Sequence, residues 1–215
     1  MYVPSHFATD DADALIERLA RRWAGVLITI DESGAPVGTH MPILWDAKER
    51  IATGHIARAN PQWKQGAGMG LIVLNGPEAY VTPNWYPSKA EHGKTVPTWN
   101  YEAVHITGRV DWFEDPARLE GVVRDLSAAY ETDQPKPWAI ADAPRPYLDS
   151  LLRGIVGVEL HAERIEAKRK LTQNKSAADF NGVANGLAAT DDPMAREVAA
   201  LMSATRASSD EPEGN

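Results

Sequence analysis

Residues 25–56 read GVLITIDESGAPVGTHMPILWDAKERIATGHI, and this stretch decides the fold class. β-Branched and aliphatic runs at Val26 to Ile30, Val37 to Trp45 and Ile51 to Ile56 are separated by Asp31-Glu32-Ser33-Gly34 and Asp46-Ala47-Lys48-Glu49, two clusters of turn formers. Short strands joined by short turns predict an antiparallel meander. Downstream, Leu71 to Asn75 and Ala79 to Thr82 predict a tight strand pair around Gly76-Pro77. Val104 to Phe113 predicts a long strand in which Gly108 marks a bulge or bend. Ile155 to Leu160 predicts the strand that closes the sheet.

Helical periodicity brackets these strands. Ala12, Ile16, Leu19, Ala20 and Trp23 recur on one face, with Thr9 or Asp10 available as a cap. Asp115-Pro116 places a cap before a proline at the first helical position, and Leu119, Val122, Val123, Leu126 and Tyr130 continue the stripe. Tyr147 to Arg153 predicts a short helix ended by Gly154. Two Ala-rich helices are expected over Ala177 to Leu187 and Pro193 to Thr205. Residues 207–215 have nothing to bury and are expected to be disordered. Strands interrupted by helices without regular alternation give a mainly β (α+β) chain: an antiparallel β-barrel with peripheral helices. No G-x-G-x-x-G or Walker loop supports a doubly wound alternative.

Composition excludes several functions. The 215 residues carry 30 acidic against 22 basic side chains, a formal charge of −8, so no general field attracts a phosphate backbone. Direct nucleic-acid binding is not expected. The absence of cysteine removes disulfides, thiolate metal sites and cysteine nucleophiles, and agrees with a reducing compartment. Apolar runs fall far short of the roughly 20 residues of a membrane helix, and Met1-Tyr2-Val3-Pro4-Ser5-His6-Phe7 lacks the pattern of a signal peptide. The expectation is a cytoplasmic protein without a membrane partner.

The chemistry-bearing residues concentrate in the middle of the chain, where five of the seven tryptophans lie between Trp45 and Trp112. The segment Pro83 to Tyr101 has no apolar periodicity and carries four large aromatics, which reads either as an Ω-loop packed on itself or as a surface for a planar ring or a partner subunit. Arg58 follows a strand end, with His55 and Asn60 nearby as neutral donors, and this set suits a terminal phosphate. The alternative is a surface arginine paired with one of the many acids. Thr39-His40-Met41-Pro42 places a proline in a strand, which leaves backbone groups free for a ligand. The six histidines form no H-x-x-x-H or H-E-x-x-H pattern, so no metal site is expected. No G-x-S-x-G elbow supports a serine hydrolase.

Six strings taken in order resemble a known family. They are Met1 to Phe7, Thr39 to Pro42, Gly54-His55-Ile56-Ala57-Arg58-Ala59-Asn60-Pro61-Gln62-Trp63, Trp85 to Lys89, Pro97-Thr98-Trp99-Asn100-Tyr101 and Lys170-Leu171-Thr172-Gln173-Asn174. Together they are similar to the PaiB family of FMN-binding negative transcriptional regulators. The resemblance implies a split antiparallel β-barrel of FMN-binding type, the group that contains pyridoxamine phosphate oxidase, assembled as an intertwined homodimer. It further implies FMN as cofactor, with the phosphate held by Arg58, His55 and Asn60 and the ring edge lying along Thr39, His40, Met41 and Pro42. Trp99, Asn100 and Tyr101 would cover the ring from the partner subunit, and Lys170, Gln173 and Asn174 would close the site. The catalytic residues stay unassigned. The implied domain covers residues 1–187, followed by a helical extension at 188–206 and the tail at 207–215. The expected role is regulatory or redox-sensing. Its alternatives are a flavin-dependent oxidoreductase using NAD(P)H and a haem-binding protein of the same barrel type.

Overall fold

A computed structural model describes residues 1–210, with side chains through Arg206. The tail expected at 207–215 therefore falls outside the described side chains, and 211–215 lie outside the described residues altogether. Seven strands form one sheet: β1 (Gly25–Ile30), β2 (Pro36–Met41), β3 (Leu44–Asp46), β4 (Ile51–Ala57), β5 (Gly68–Val81), β6 (Thr98–Phe113) and β7 (Ile155–Lys170). Their order is β2-β1-β5-β6-β7-β4-β3, and the sheet does not close on itself. The chain divides into two compact units, a large one of residues 11–74 and 104–166 and a small one of residues 1–10, 75–103 and 167–215. The three long strands β5, β6 and β7 contribute residues to both.

In the large unit, helix α1 (Ala12–Ala20) starts where the Asp11 carboxylate accepts from the Ala14 amide at 3.2 Å, and it buries Leu15, Ile16, Leu19 and Ala20. The cap is thus the residue after the expected Asp10. The β1–β2 hairpin turns on Asp31, whose Oδ1 accepts from the amides of Ser33 at 2.8 Å and Ala35 at 2.9 Å, with Gly34 at φ 84°. Helix α3 (Pro116–Glu131) and helix α4 (Arg145–Leu152) pack Leu119, Leu148 and Leu152 around Phe113. Asp115 caps α3 as its sequence predicts, accepting from the Arg118 amide at 2.8 Å.

The meander is corrected by the pairing. β1 pairs with β2 and β3 pairs with β4, both antiparallel, but the two hairpins stand at opposite ends of the strand order. Pro42 supplies the reason: without an N–H it cannot continue the β2 ladder, so the expected Val37-to-Trp45 strand ends at Met41 and restarts at Leu44. The strand from Ile155 is an interior strand between β6 and β4 and extends to Lys170.

The strand pair expected around Gly76-Pro77 is instead the single strand β5. Ile72 and Leu74 are buried on one phase of its alternation, and Pro77, Ala79 and Val81 on the other. Gly76-Pro77 therefore marks a slip of one residue in the pleat, where a turn would have reversed the chain. The slip lies at the boundary between the two units.

The small unit has its own core. Helix α5 (Ala177–Ala188) and helix α6 (Pro193–Asp210) pack Phe180, Val183, Leu187, Val198 and Met202 against Ala79, Val81, Tyr86 and Leu171. Gly182 and Gly186, one turn apart on α5, admit the backbone carbonyl and the indole of Trp85; a methyl at either would collide with them. The segment expected to be a long loop contains a 3-10 turn at Pro83–Trp85 and the short helix α2 (Ser88–His92), and β6 begins at Thr98.

Gly108 serves a close approach between strands in the large unit. A methyl there would collide with the main-chain carbonyl of His161 on β7. Gly108→Ala is expected to destabilise the protein by about 1–3 kcal/mol, read as a lower urea midpoint at unchanged m-value. An unchanged midpoint would show that β7 moves away freely.

Candidate functional site

The expected site residues fall into two groups, one in each unit. In the large unit, β4 carries His55 opposite Gly157 of β7 and delivers Arg58 just past its end. The Arg58 amide donates to the Gly154 carbonyl at 2.8 Å. Its guanidinium donates to the Arg153 carbonyl at 2.7 Å, to the Ile155 carbonyl at 3.1 Å and to the Glu114 carboxylate. The guanidinium thus braces the strand end on protein groups, which is the ion-paired alternative weighed from sequence.

Asn60 is placed by its own chemistry. Its Oδ1 caps the 3-10 turn Pro61–Gln65 by accepting from the Gln62 amide at 3.0 Å, and its Nδ2 donates to Thr39 Oγ1 at 2.7 Å. Asn60 and Thr39, distant in sequence, are therefore adjacent. His40, next along β2, is exposed. Met41 is only 2% exposed and sits against Gly54, where it belongs to the core. Pro42 brings its carbonyl to the same glycine. His55 presents a buried Nδ1 without a hydrogen-bond partner, the kind of orphaned polar atom that a ligand or water satisfies. Of these residues the structure joins Thr39 to Asn60 directly, while Met41 is spent in the core.

In the small unit, the basic block Lys168-Arg169-Lys170 is resolved by strand alternation. Lys168 and Lys170 share one face, with their Nζ atoms 5.3 and 5.8 Å from the Tyr101 ring centroid, while Arg169 turns to the buried Glu102 at 3.0 Å. Lys170 also donates to Thr98 Oγ1 and to the Trp99 carbonyl. Asn100 is 1% exposed and donates to Thr172 Oγ1 at 2.9 Å. Thr172 has φ 67°, a left-handed conformation that a β-branched residue adopts only under constraint. Gln173 is spent locally: its Oε1 accepts from the Leu171 amide at 2.7 Å and its Nε2 donates to the Arg169 carbonyl at 2.6 Å. Trp99 is half exposed and meets the half-exposed Tyr80 edge-to-face, 6.1 Å between centroids.

Asn100, Lys170 and Asn174 line one cavity of about 220 Å³ in the small unit. Lys94, Thr95, Thr172 and Lys175 share it, none of them among the site residues expected from the sequence. Thr172 lies inside the Lys170–Asn174 string that carries the family resemblance, and Lys175 directly follows it. Lys94 and Thr95 carried no signal beyond the aromatic segment around them.

Burial pushes the His55 imidazole below its ordinary value of 6.5. The unfolded chain then takes up a proton before folded His55 does. The stabilisation from its neutral form is complete above pH 6.5 and is lost as pH falls through that value toward the lower folded pKa. The fall in Tm from about pH 7.5 to about pH 5.5 is expected to be smaller in His55→Phe than in the wild type. Equal falls would remove His55 as a source of acid sensitivity.

Comparison with known proteins agrees with the resemblance read from the six strings. Residues 1–164 match the family described as "Putative FMN-binding domain". The Bacillus subtilis "Protease synthase and sporulation protein PAI 2" is 32% identical over 206 residues, covering 94% of this chain and 96% of the relative. Among solved structures, "conserved hypothetical protein Rv2991" of Mycobacterium tuberculosis superposes with a TM-score of 0.57 at 16% identity, over 82% of this chain and 94% of that one. The "FAD and Heme binding protein" of Mycobacterium smegmatis gives 0.55 at 11% identity, over 75% and 72%. The fold is accordingly the split-barrel type seen as an open sheet with helices. From its near-full-length relative and its matched domain, the chain belongs to the PaiB family of FMN-binding proteins, with FMN as its cofactor.

Proposed function

We propose that two copies of this chain form an intertwined homodimer that holds FMN non-covalently and serves a regulatory or redox-sensing role in the cytoplasm. The observation that carries this reading is the family match over residues 1–164, which spans the Thr39–Pro42 and His55–Asn60 segments. The open sheet supports it, because β2, which bears Thr39 and His40, is an edge strand. An edge strand offers backbone groups that a partner or a cofactor can pair.

FMN supplies reversible one- and two-electron chemistry when bound. The protein's part is binding and orientation. Thr39 and Asn60 provide a hydroxyl and an amide held together by one hydrogen bond, and His55 offers its orphaned ring nitrogen. Arg58, paired with Glu114, stiffens the strand end beyond which Asn60 projects. Trp99, whose indole is half exposed beside Tyr80, suits contact with a flat ring or with the second subunit. Direct contact with DNA has no support from the charge of −8, so a regulatory effect is read as acting through a ligand or a protein partner.

The experiment is an absorbance spectrum of the purified protein after loading with FMN and gel filtration. Flavin bands co-eluting at about twice the 23.5 kDa chain mass are expected. Elution without flavin, a Soret band in its place, or a flavin-bearing monomer would overturn the shared-site reading. Anaerobic addition of NADH or NADPH then separates the roles: bleaching identifies an NAD(P)H oxidoreductase, and a stable oxidised spectrum leaves the regulatory role.

A further inference from the structure

The cavity of the small unit inverts the sign of the chain. In a protein of net charge −8, its walls carry Lys94, Lys170 and Lys175 and no carboxylate among the lining residues. Three threonine hydroxyls and two amides, from Thr95, Thr98, Thr172, Asn100 and Asn174, add to the polar lining. We propose that this cavity is an oxyanion site, which takes a phosphate or carboxylate group of a small ligand on Lys94, Lys170 and Lys175 with Thr95 as hydroxyl donor.

Several independent features carry it. Thr95 Oγ1 is buried and has no hydrogen-bond partner, although a buried hydroxyl in a folded protein is nearly always satisfied. A hydroxyl rotates freely and donates to an anion oxygen as readily as to a carbonyl. Lys170 is partly buried with its ammonium beside Lys168, and both burial and that like charge lower its pKa, so an arriving anion relieves both. The nearby acid does not perform this role. Asp179, whose charge reaches Lys175, accepts from the Ser88 amide at 3.1 Å and the Ser88 hydroxyl at 2.8 Å.

Size limits the ligand. At about 220 Å³ the cavity is smaller than the roughly 300 Å³ at which pockets for drug-sized molecules begin. It has room for a phosphate group or a short carboxylic acid. Phe7, Tyr86 and Val96 form the apolar part of the wall, so a ligand with a small carbon skeleton fits as well as a bare anion. The site stands whether or not flavin binds elsewhere on the chain. The oxyanion has two sources, the phosphate end of FMN or a separate metabolite, and the test separates them.

The test uses the full chain loaded with FMN and titrated with inorganic phosphate by calorimetry in chloride buffer. Affinities for FMN and for riboflavin are measured in parallel on the flavin-free protein. Lys175→Gln and Lys94→Gln, both at exposed positions, and Thr95→Val, which keeps the side-chain shape, are compared with wild type. Phosphate binding to the loaded protein, weakened about tenfold by each lysine change while FMN affinity holds, establishes a site for a separate anion. Loss of FMN affinity in the same variants with riboflavin affinity unchanged, and displacement of FMN by phosphate, identifies the cofactor's own phosphate as the occupant. If phosphate does not bind and neither flavin responds to the variants, the oxyanion site is overturned, while flavin retention by itself still decides the reading of the preceding section.

Discussion

The large unit depends on the seven-residue antiparallel ladder that β4 makes with β7, from Ile51 opposite His161 to Ala57 opposite Ile155. That ladder places His55 against Gly157, over which the Phe113 ring lies with no room for a side chain. It also carries the chain out at Arg58, whose amide bonds to Gly154 just before β7 begins. A one-residue slip would turn His55 toward the opposite face and move Arg58 off its carbonyl partners. Small residues at Gly54, Gly108 and Gly157 let neighbouring strands, Met41 and Phe113 approach this ladder closely.

Arg58 illustrates how a sequence argument divides. A basic residue after a strand, flanked by polar groups, is compatible with phosphate binding and with a structural ion pair. Only the fold can tell which acids and carbonyls surround it. Glu114, Arg153 and Ile155 lie far along the chain, on the other side of a helix or in another strand, and no local pattern announces that they converge on its guanidinium. Asn60 is the opposite case. An Asn-Pro at the start of a turn caps that turn by local geometry, and the same amide still has its NH₂ group for Thr39.

The small unit owes its chemistry to a turn that the chain makes under strain. Thr172 leaves β7 in a left-handed conformation, held by a buried hydrogen bond to Asn100. Lys170 and Lys175, on either side of that turn, thereby face one cavity with Thr95 from the segment before β6. Arg169 points to the other face of β7, where Glu102 neutralises it. The basic triplet Lys168-Arg169-Lys170 is thus partitioned by the pleat into an ion pair with the buried Glu102 and two cations beside Tyr101.

What the sequence determined by itself was local: the caps at Asp115 and near Asp11, the turn at Asp31 to Gly34, the helical stripes, the runs that become strands, and the strings that identify the family. Each is written in neighbouring residues, because caps, turns and amphipathic periods depend on side chains a few positions apart. Tertiary structure decided which strands pair, and so placed the two N-terminal hairpins at opposite ends of the sheet. It also decided that Gly76-Pro77 shifts the pleat within one strand where a turn had been expected. The same long-range pairing buried Met41, tied Arg58 to distant carbonyls and gathered lysines from separate segments around one cavity. Such outcomes depend on contacts between residues scores of positions apart, whose cost and benefit no local window contains.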